Sequence, residues 1–158
     1  MKKSDVDYLY EWASRTDFPL RRAPTAVGYS NKDIHFCWLK AIYRNGSIGG
    51  VRKSVVEDEK AQQILDQEEV IFATISVFDA GTKLNPHRDP PVYGRKYRRV
   101  QIPLYIPSDK CYMVWKGKKV FWKEGEPQVY DVMDHIHEGY NLSDDIMMFL
   151  FVDIEKRD

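Results

Sequence analysis

The chain has 158 residues, the size of one ordinary domain, and a chain of this length buries roughly 70% of its unfolded surface, so it can fold without disulfides. Lysine plus arginine (24) balances aspartate plus glutamate (24), which argues against a protein that works by neutralising nucleic-acid phosphates, and two cysteines cannot build a disulfide scaffold or a four-thiolate zinc site. The longest apolar run, Ile146 to Val152, falls far short of the ~20 residues of a membrane span, and MKKSDVDYLYEW lacks the apolar stretch of a secretory signal, so a cytoplasmic protein without a membrane segment is expected.

No repeat and no Pro/Gly-rich linker divides the sequence, which is read as one domain over 1–158: a helical and irregular part over 1–69, then a strand-rich core over 70–158. Ser4 with Asp7 reads as an N-cap and acidic first turn, and Val6, Leu9, Tyr10 and Ala13 follow at helical spacing, predicting a helix of about 10 residues. From Asp17 to Gly50 the pattern is broken by Pro19, Pro24 and the turn-like pairs Asn45-Gly46 and Gly49-Gly50, which predicts short strands and loops. Glu57 to Glu68 holds no Gly or Pro and only Ile64 is β-branched, so a second helix is expected there, exposed over most of its surface.

The period then changes to two. In Val70 to Phe78, Ile71, Ala73, Ile75 and Val77 alternate with Phe72, Thr74, Ser76 and Phe78, so both faces are expected to be buried and one carries hydroxyls. In Arg98 to Ile106, Val100, Ile102, Leu104 and Ile106 form an apolar face opposite Arg99, Gln101, Pro103 and Tyr105. Further strands are expected at Tyr112 to Trp115, Lys119 to Trp122, Gln128 to Val132 and Asp145 to Ile154, separated by turns such as Lys116-Gly117 and Glu124-Gly125. Early helices and many late strands predict a mainly β sandwich or barrel with helices packed outside.

Three of the four histidines, His87, His135 and His137, lie in the strand-rich half. In Asn85-Pro86-His87-Arg88-Asp89-Pro90 an imidazole and a carboxylate stand at i and i+2, on the same side of an extended backbone. Asp134-His135-Ile136-His137-Glu138 offers a second imidazole. Two imidazoles and one carboxylate with open positions form the ligand set of non-haem iron(II) oxygenases. The run Arg95 to Arg99 reads as a solvated loop leading into a strand, Trp115 and Trp122 as packing residues, and Cys37 and Cys111 as buried small apolar side chains.

The stretch Ser76 to Asp153 resembles the aspartyl/asparaginyl β-hydroxylase family of 2-oxoglutarate-dependent oxygenases. The likeness runs through Ile75-Ser76-Val77, the Ala80-Gly81-Thr82 turn, Pro86-His87, the Arg99 strand ending in Ile106-Pro107, Trp122-x-Glu124-Gly125, His137-Glu138 and Phe151-Val152-Asp153. It implies a double-stranded β-helix, a jelly roll related to cupins, holding Fe(II) at the barrel mouth. His87, Asp89 and His137 are the iron ligands it implies, with His135 competing for the place of His137. Ser76 and Arg99 fall where family members bind 2-oxoglutarate, and Gln101 stands where the better-known members have a histidine.

Two departures matter. Asp89 completes a His-x-Asp that the best-known protein hydroxylases of the family lack, which favours iron. Met147 stands where the family usually has an arginine, ten positions after His137, so the distal carboxylate of 2-oxoglutarate loses its usual partner. A buried Arg99 needs an anion beside it, either a bound dicarboxylate or a structural Asp or Glu. The implied function is a 2-oxoglutarate-dependent dioxygenase that hydroxylates an unactivated C–H bond of a small molecule, amino acid or peptide residue. The alternatives are a jelly-roll binding module without turnover and a metal-dependent cupin that does not use 2-oxoglutarate.

Overall fold

The computed structural model describes residues 1–23, 29–40, 42–45, 48–51, 54, 56–91 and 94–157. Helix α1 (Lys3–Ser14) buries Val6, Leu9 and Ala13 as their spacing indicates, together with Trp12, whereas Tyr10 is only partly buried. Its N-cap is Lys2, with no side-chain cap, so the expected Ser4 cap is not made and Ser4 sits inside the first turn. The packed face, rather than a cap, holds this helix. Helix α2 (Glu59–Leu65) is shorter than the expected 57–68 and starts at Asp58, whose carboxylate accepts from the Ala61 N–H. Ala61, Ile64 and Leu65 form a buried stripe, so α2 is not exposed over most of its surface.

The strands are β1 (Arg21–Ala23), β2 (Ile34–Lys40), β3 (Ile42–Asn45), β4 (Ile48–Val51), β5 (Val70–Phe78), β6 (Lys83–His87), β7 (Tyr97–Tyr105), β8 (Cys111–Trp115), β9 (Lys118–Phe121), β10 (Gln128–Tyr130), β11 (His137–Asn141) and β12 (Met147–Glu155). Gly49 and Gly50 lie within β4 and not in a turn, because they pair with Arg44 and Tyr43 of β3. Pro24 and Gly46 lie outside the described residues.

One sheet has the order β1-β2-β5-β12-β7-β10, a second has β6-β11-β8-β9, and β3-β4 form a separate ribbon. From β5 to β12 the chain passes back and forth between the two large sheets, which makes a mainly β jelly roll. Lys116 and Gly117, at φ 50 and 76, join β8 to β9 in a two-residue turn with both residues left-handed, the arrangement that matches the twist of a hairpin.

The period-two pattern gives the large sheet two different faces. Ala73, Ile75 and Val77 of β5, Val100, Ile102 and Leu104 of β7, and Leu150 and Val152 of β12 pack in one cluster with Leu9 and Trp12 of α1 and Ile64 and Leu65 of α2. The alternate residues face the second sheet. There Phe78, Met147 and Phe149 pack with Cys111 of β8, and the polar side chains Thr74, Ser76, Arg99, Gln101 and Asp153 come from the same three strands.

Candidate metal centre

Strand β6 ends on His87 and β11 begins on His137, and the two residues are direct antiparallel partners. Asp89 follows β6 by two residues and is pinned by its backbone N–H, which donates to the Val132 carbonyl at 2.9 Å. The Nε2 atoms of His87 and His137 lie 3.2 and 3.1 Å from Asp89 Oδ1. Asp89 and His137 are buried, and one ligand atom from each of the three residues falls within 4.8 Å of the others.

The ring orientations are fixed from behind. His87 Nδ1 stands 2.6 Å from the Asn85 carbonyl oxygen and His137 Nδ1 stands 3.0 Å from that of His135. A carbonyl oxygen only accepts, so each Nδ1 carries a proton, and the neutral form of each ring then has its Nε2 lone pair on the side of Asp89. Asp89 Oδ1 is buried and receives no hydrogen bond from the described residues. With both rings in the neutral form that ligates a metal, three electron-rich atoms meet here, an arrangement that repels unless a cation sits at their centre. Neighbouring ligands of an octahedral ion with bonds of ~2.1 Å stand ~3 Å apart, so the two imidazole–carboxylate spacings fit a divalent transition metal, iron(II) among them.

Burial pushes the Asp89 carboxyl up, but the Arg99 guanidinium beside it outweighs that cost and holds the group far below the usual carboxylate range. Arg99 donates from Nη1 to Asp89 Oδ2 at 2.7 Å, and from Nε and Nη2 to Asp153 Oδ1 and Oδ2 at 2.8 and 3.0 Å. Burial opposes its charge, yet Asp153 and Asp89 raise its pKa well above the ordinary arginine value. The anion beside Arg99 is therefore supplied by two aspartates of the chain itself, the structural option of the two left open by the sequence.

A cavity of about 160 Å³ adjoins the three residues and is lined in part by Ser76, Gln101, Trp122, Met147 and Phe149. Gln101 Oε1 accepts from Trp122 Nε1 at 3.1 Å, so Trp122 both packs and hydrogen-bonds. Met147 is buried in this wall, where its thioether offers no charge. His135 lies outside the cluster: its ring packs edge-on against Trp115, 5.3 Å away.

Two aromatic neighbours of the imidazoles had no signal in the sequence as site residues. Tyr29 stacks on His87 with ring centroids 3.7 Å apart and planes 4° from parallel, and Trp115 stands 5.9 Å from His137. Tyr29 comes from the stretch broken by prolines and glycines, where no periodicity points to it. The basic run is not a solvated loop throughout, since Tyr97 is buried, Arg98 pairs with Asp131 and Arg99 is in the cluster. Cys111 is buried as expected, whereas Cys37 is only partly so.

The family described as aspartyl/asparaginyl beta-hydroxylase matches residues 30–157. No curated protein matches the chain. Among solved structures, an oxidoreductase of the 2OG-Fe(II) oxygenase family from Burkholderia pseudomallei superposes with TM-score 0.62 at 11% identity, covering 98% of this chain and 91% of its own. A prolyl-4-hydroxylase from Pseudomonas putida gives 0.57 at 12% identity, covering 100% and 89%. A cupin-2 domain from Rhodospirillum rubrum gives 0.54 at 10%, covering 91% and 76%. At these identities the likeness is one of fold. Among the described residues no helix is long and apolar enough to cross a membrane.

Proposed function

The chain belongs to the aspartyl/asparaginyl beta-hydroxylase family, and from that premise we propose that it is an Fe(II)- and 2-oxoglutarate-dependent hydroxylase. The observation that carries this reading is the convergence of His87 Nε2 and His137 Nε2 on the buried Asp89 Oδ1, which accepts no hydrogen bond from the described residues. These three residues would hold the iron on one side and leave the other side open to ligands. When bound, iron(II) supplies the oxygen activation that couples decarboxylation of 2-oxoglutarate to C–H hydroxylation.

The chain's own residues orient and shield. The backbone carbonyls of Asn85 and His135 hold the two imidazoles in the tautomer that ligates. The adjoining cavity would take 2-oxoglutarate, with Ser76, Gln101 and Arg99 as its polar wall. Arg99 has five N–H donors and gives three to Asp89 and Asp153, so two remain for a carboxylate. Its charge is already offset by those aspartates and Met147 adds none, so 2-oxoglutarate binding should be weak for the family. The apolar lining from Trp122 and Phe149 keeps water from the reacting atoms. The small cavity suits a compact substrate: a small molecule, an amino acid or one residue of a peptide.

The test is to incubate the protein with Fe(II), ascorbate and 2-oxoglutarate under air and measure succinate. Succinate that disappears in Asp89→Ala supports the reading. No succinate from iron-loaded protein would favour a cupin that uses no 2-oxoglutarate, and no iron uptake would favour a binding module.

A further inference from the structure

Asp153, Arg99 and Asp89 form a chain of side chains that runs from the middle of the large sheet to the candidate metal centre. Asp153 is fully buried and is the register partner of Arg99 on the neighbouring strand, so sheet pairing itself brings the two together. Their contact is a two-bond fork, Nε to Oδ1 and Nη2 to Oδ2, which fixes the guanidinium plane as well as its position. The Phe151 and Tyr97 rings flank the Arg99 Cζ at 4.9 and 5.7 Å. Held in this way, Arg99 presents Nη1 to Asp89 Oδ2. Asp89 sits beyond the end of β6, where the sheet does not fix its side-chain torsions, and its other oxygen is the one that faces His87 and His137.

We propose that Arg99 and Asp153 are positioning residues for Asp89: Asp153 locks Arg99, and Arg99 holds Asp89 Oδ2 so that Oδ1 is aimed at the point where the two Nε2 atoms converge. The proposal rests on the reading of His87, Asp89 and His137 as metal ligands, and it gives Arg99 a task beyond binding 2-oxoglutarate. A structural ion pair alone would be complete with the Asp153 fork, leaving the third bond to Asp89 without a purpose. Two carboxylates and one guanidinium also leave one net negative charge, so Arg99 does not cancel the attraction of the cluster for a divalent cation.

The test uses Co(II) alone, whose visible absorption reports its ligand geometry, titrated into wild type, Arg99→Lys and Asp153→Asn. Arg99→Lys keeps the charge but loses the planar fork, which separates orientation from electrostatics. The expected result is a Co(II) affinity ~10 to 100-fold weaker in each variant, the usual cost of losing a partner that orients a metal ligand, together with an altered absorption band. The double variant should lose no more than the worse single one, because both residues act through Asp89. Circular dichroism with EDTA shows whether each variant folds. Where Asp153→Asn does not, Arg99→Lys carries the test, since it retains the buried charge balance. Folded variants that bind Co(II) with the affinity and spectrum of wild type would overturn the positioning role alone. Folded wild type that takes up no Co(II) would overturn the metal reading and this proposal with it.

Discussion

The Nδ1 proton of His137 goes to the backbone carbonyl oxygen of His135, while the His135 ring packs on Trp115. The His135 side chain is therefore dispensable for orienting His137. His135→Ala should leave Fe(II) affinity within ~10-fold of wild type, below the upper end of the range for lost orienting partners, whereas His87→Ala, Asp89→Ala or His137→Ala should each abolish tight binding. Metal titration of the four variants checks this, and a larger loss in His135→Ala than in His137→Ala would reverse the assignment. At position 147, an arginine would restore a cation to the cavity wall. Met147→Arg should tighten 2-oxoglutarate binding to the iron-loaded protein, as read by titration, and unchanged or weaker binding would show that the buried site cannot accommodate the charge.

Asp89 also carries a pH signature. Its folded pKa is depressed, so its contribution to stability is complete above the ordinary aspartate range near ~3.9 and is lost as pH falls through that range towards the folded value. Metal-free wild type should lose stability between about pH 5 and pH 2 more steeply than Asp89→Asn, whose amide does not titrate. Urea unfolding at a series of pH values measures both slopes, and equal slopes would mean that Arg99 does not hold the carboxylate as described.

At the scale of elements, Asp58 joins the two helices. Its carboxylate caps α2 through the Ala61 N–H and accepts the Tyr8 hydroxyl from α1 at 2.9 and 3.0 Å. Asp58→Ala removes both links and should cost about 1 kcal/mol, the usual value of an N-cap. A fall in the urea midpoint with unchanged slope is the expected reading, and an unchanged midpoint would contradict it.

The elements most legible in the sequence are the long ones. Strand β5 falls on Val70–Phe78, as its alternation indicates, and β7 and β12 are displaced by one or two residues at their ends. Strands β6 and β11, KLNPH and HEGYN, carry no alternating apolar pattern because proline, glycine and polar residues occupy them. These are the strands that end and begin on His87 and His137. Local pattern fails there because residues chosen for a site displace those that would announce a strand. The pairing of Arg99 with Asp153 was hidden for another reason: residues 54 positions apart meet only through the β12–β7 register.

Across the whole molecule, the two faces of one sheet divide stability from chemistry. The outer face of β5, β12 and β7 is apolar and covered by α1 and α2, and burying side chains such as Ile75, Ile102 and Leu150 stabilises the fold by roughly 1.5–3 kcal/mol each. The inner face can then carry Arg99, Asp153 and Gln101, whose burial alone would be unfavourable. The second sheet closes the other side and brings His87 and His137 into register. The N-terminal half completes the mouth with Tyr29, which is why the site is not contained in the stretch Ser76 to Asp153 alone.

The proposed function requires one pocket of this jelly roll to hold iron(II) and 2-oxoglutarate together. Anaerobic Fe(II) protein titrated with 2-oxoglutarate tests it most directly, because chelation of the metal by the keto acid produces a metal-to-ligand charge-transfer band in the visible. Wild type should develop that band at or below millimolar 2-oxoglutarate, and His137→Ala should not. Iron-loaded wild type that shows no band at millimolar 2-oxoglutarate would contradict the claim.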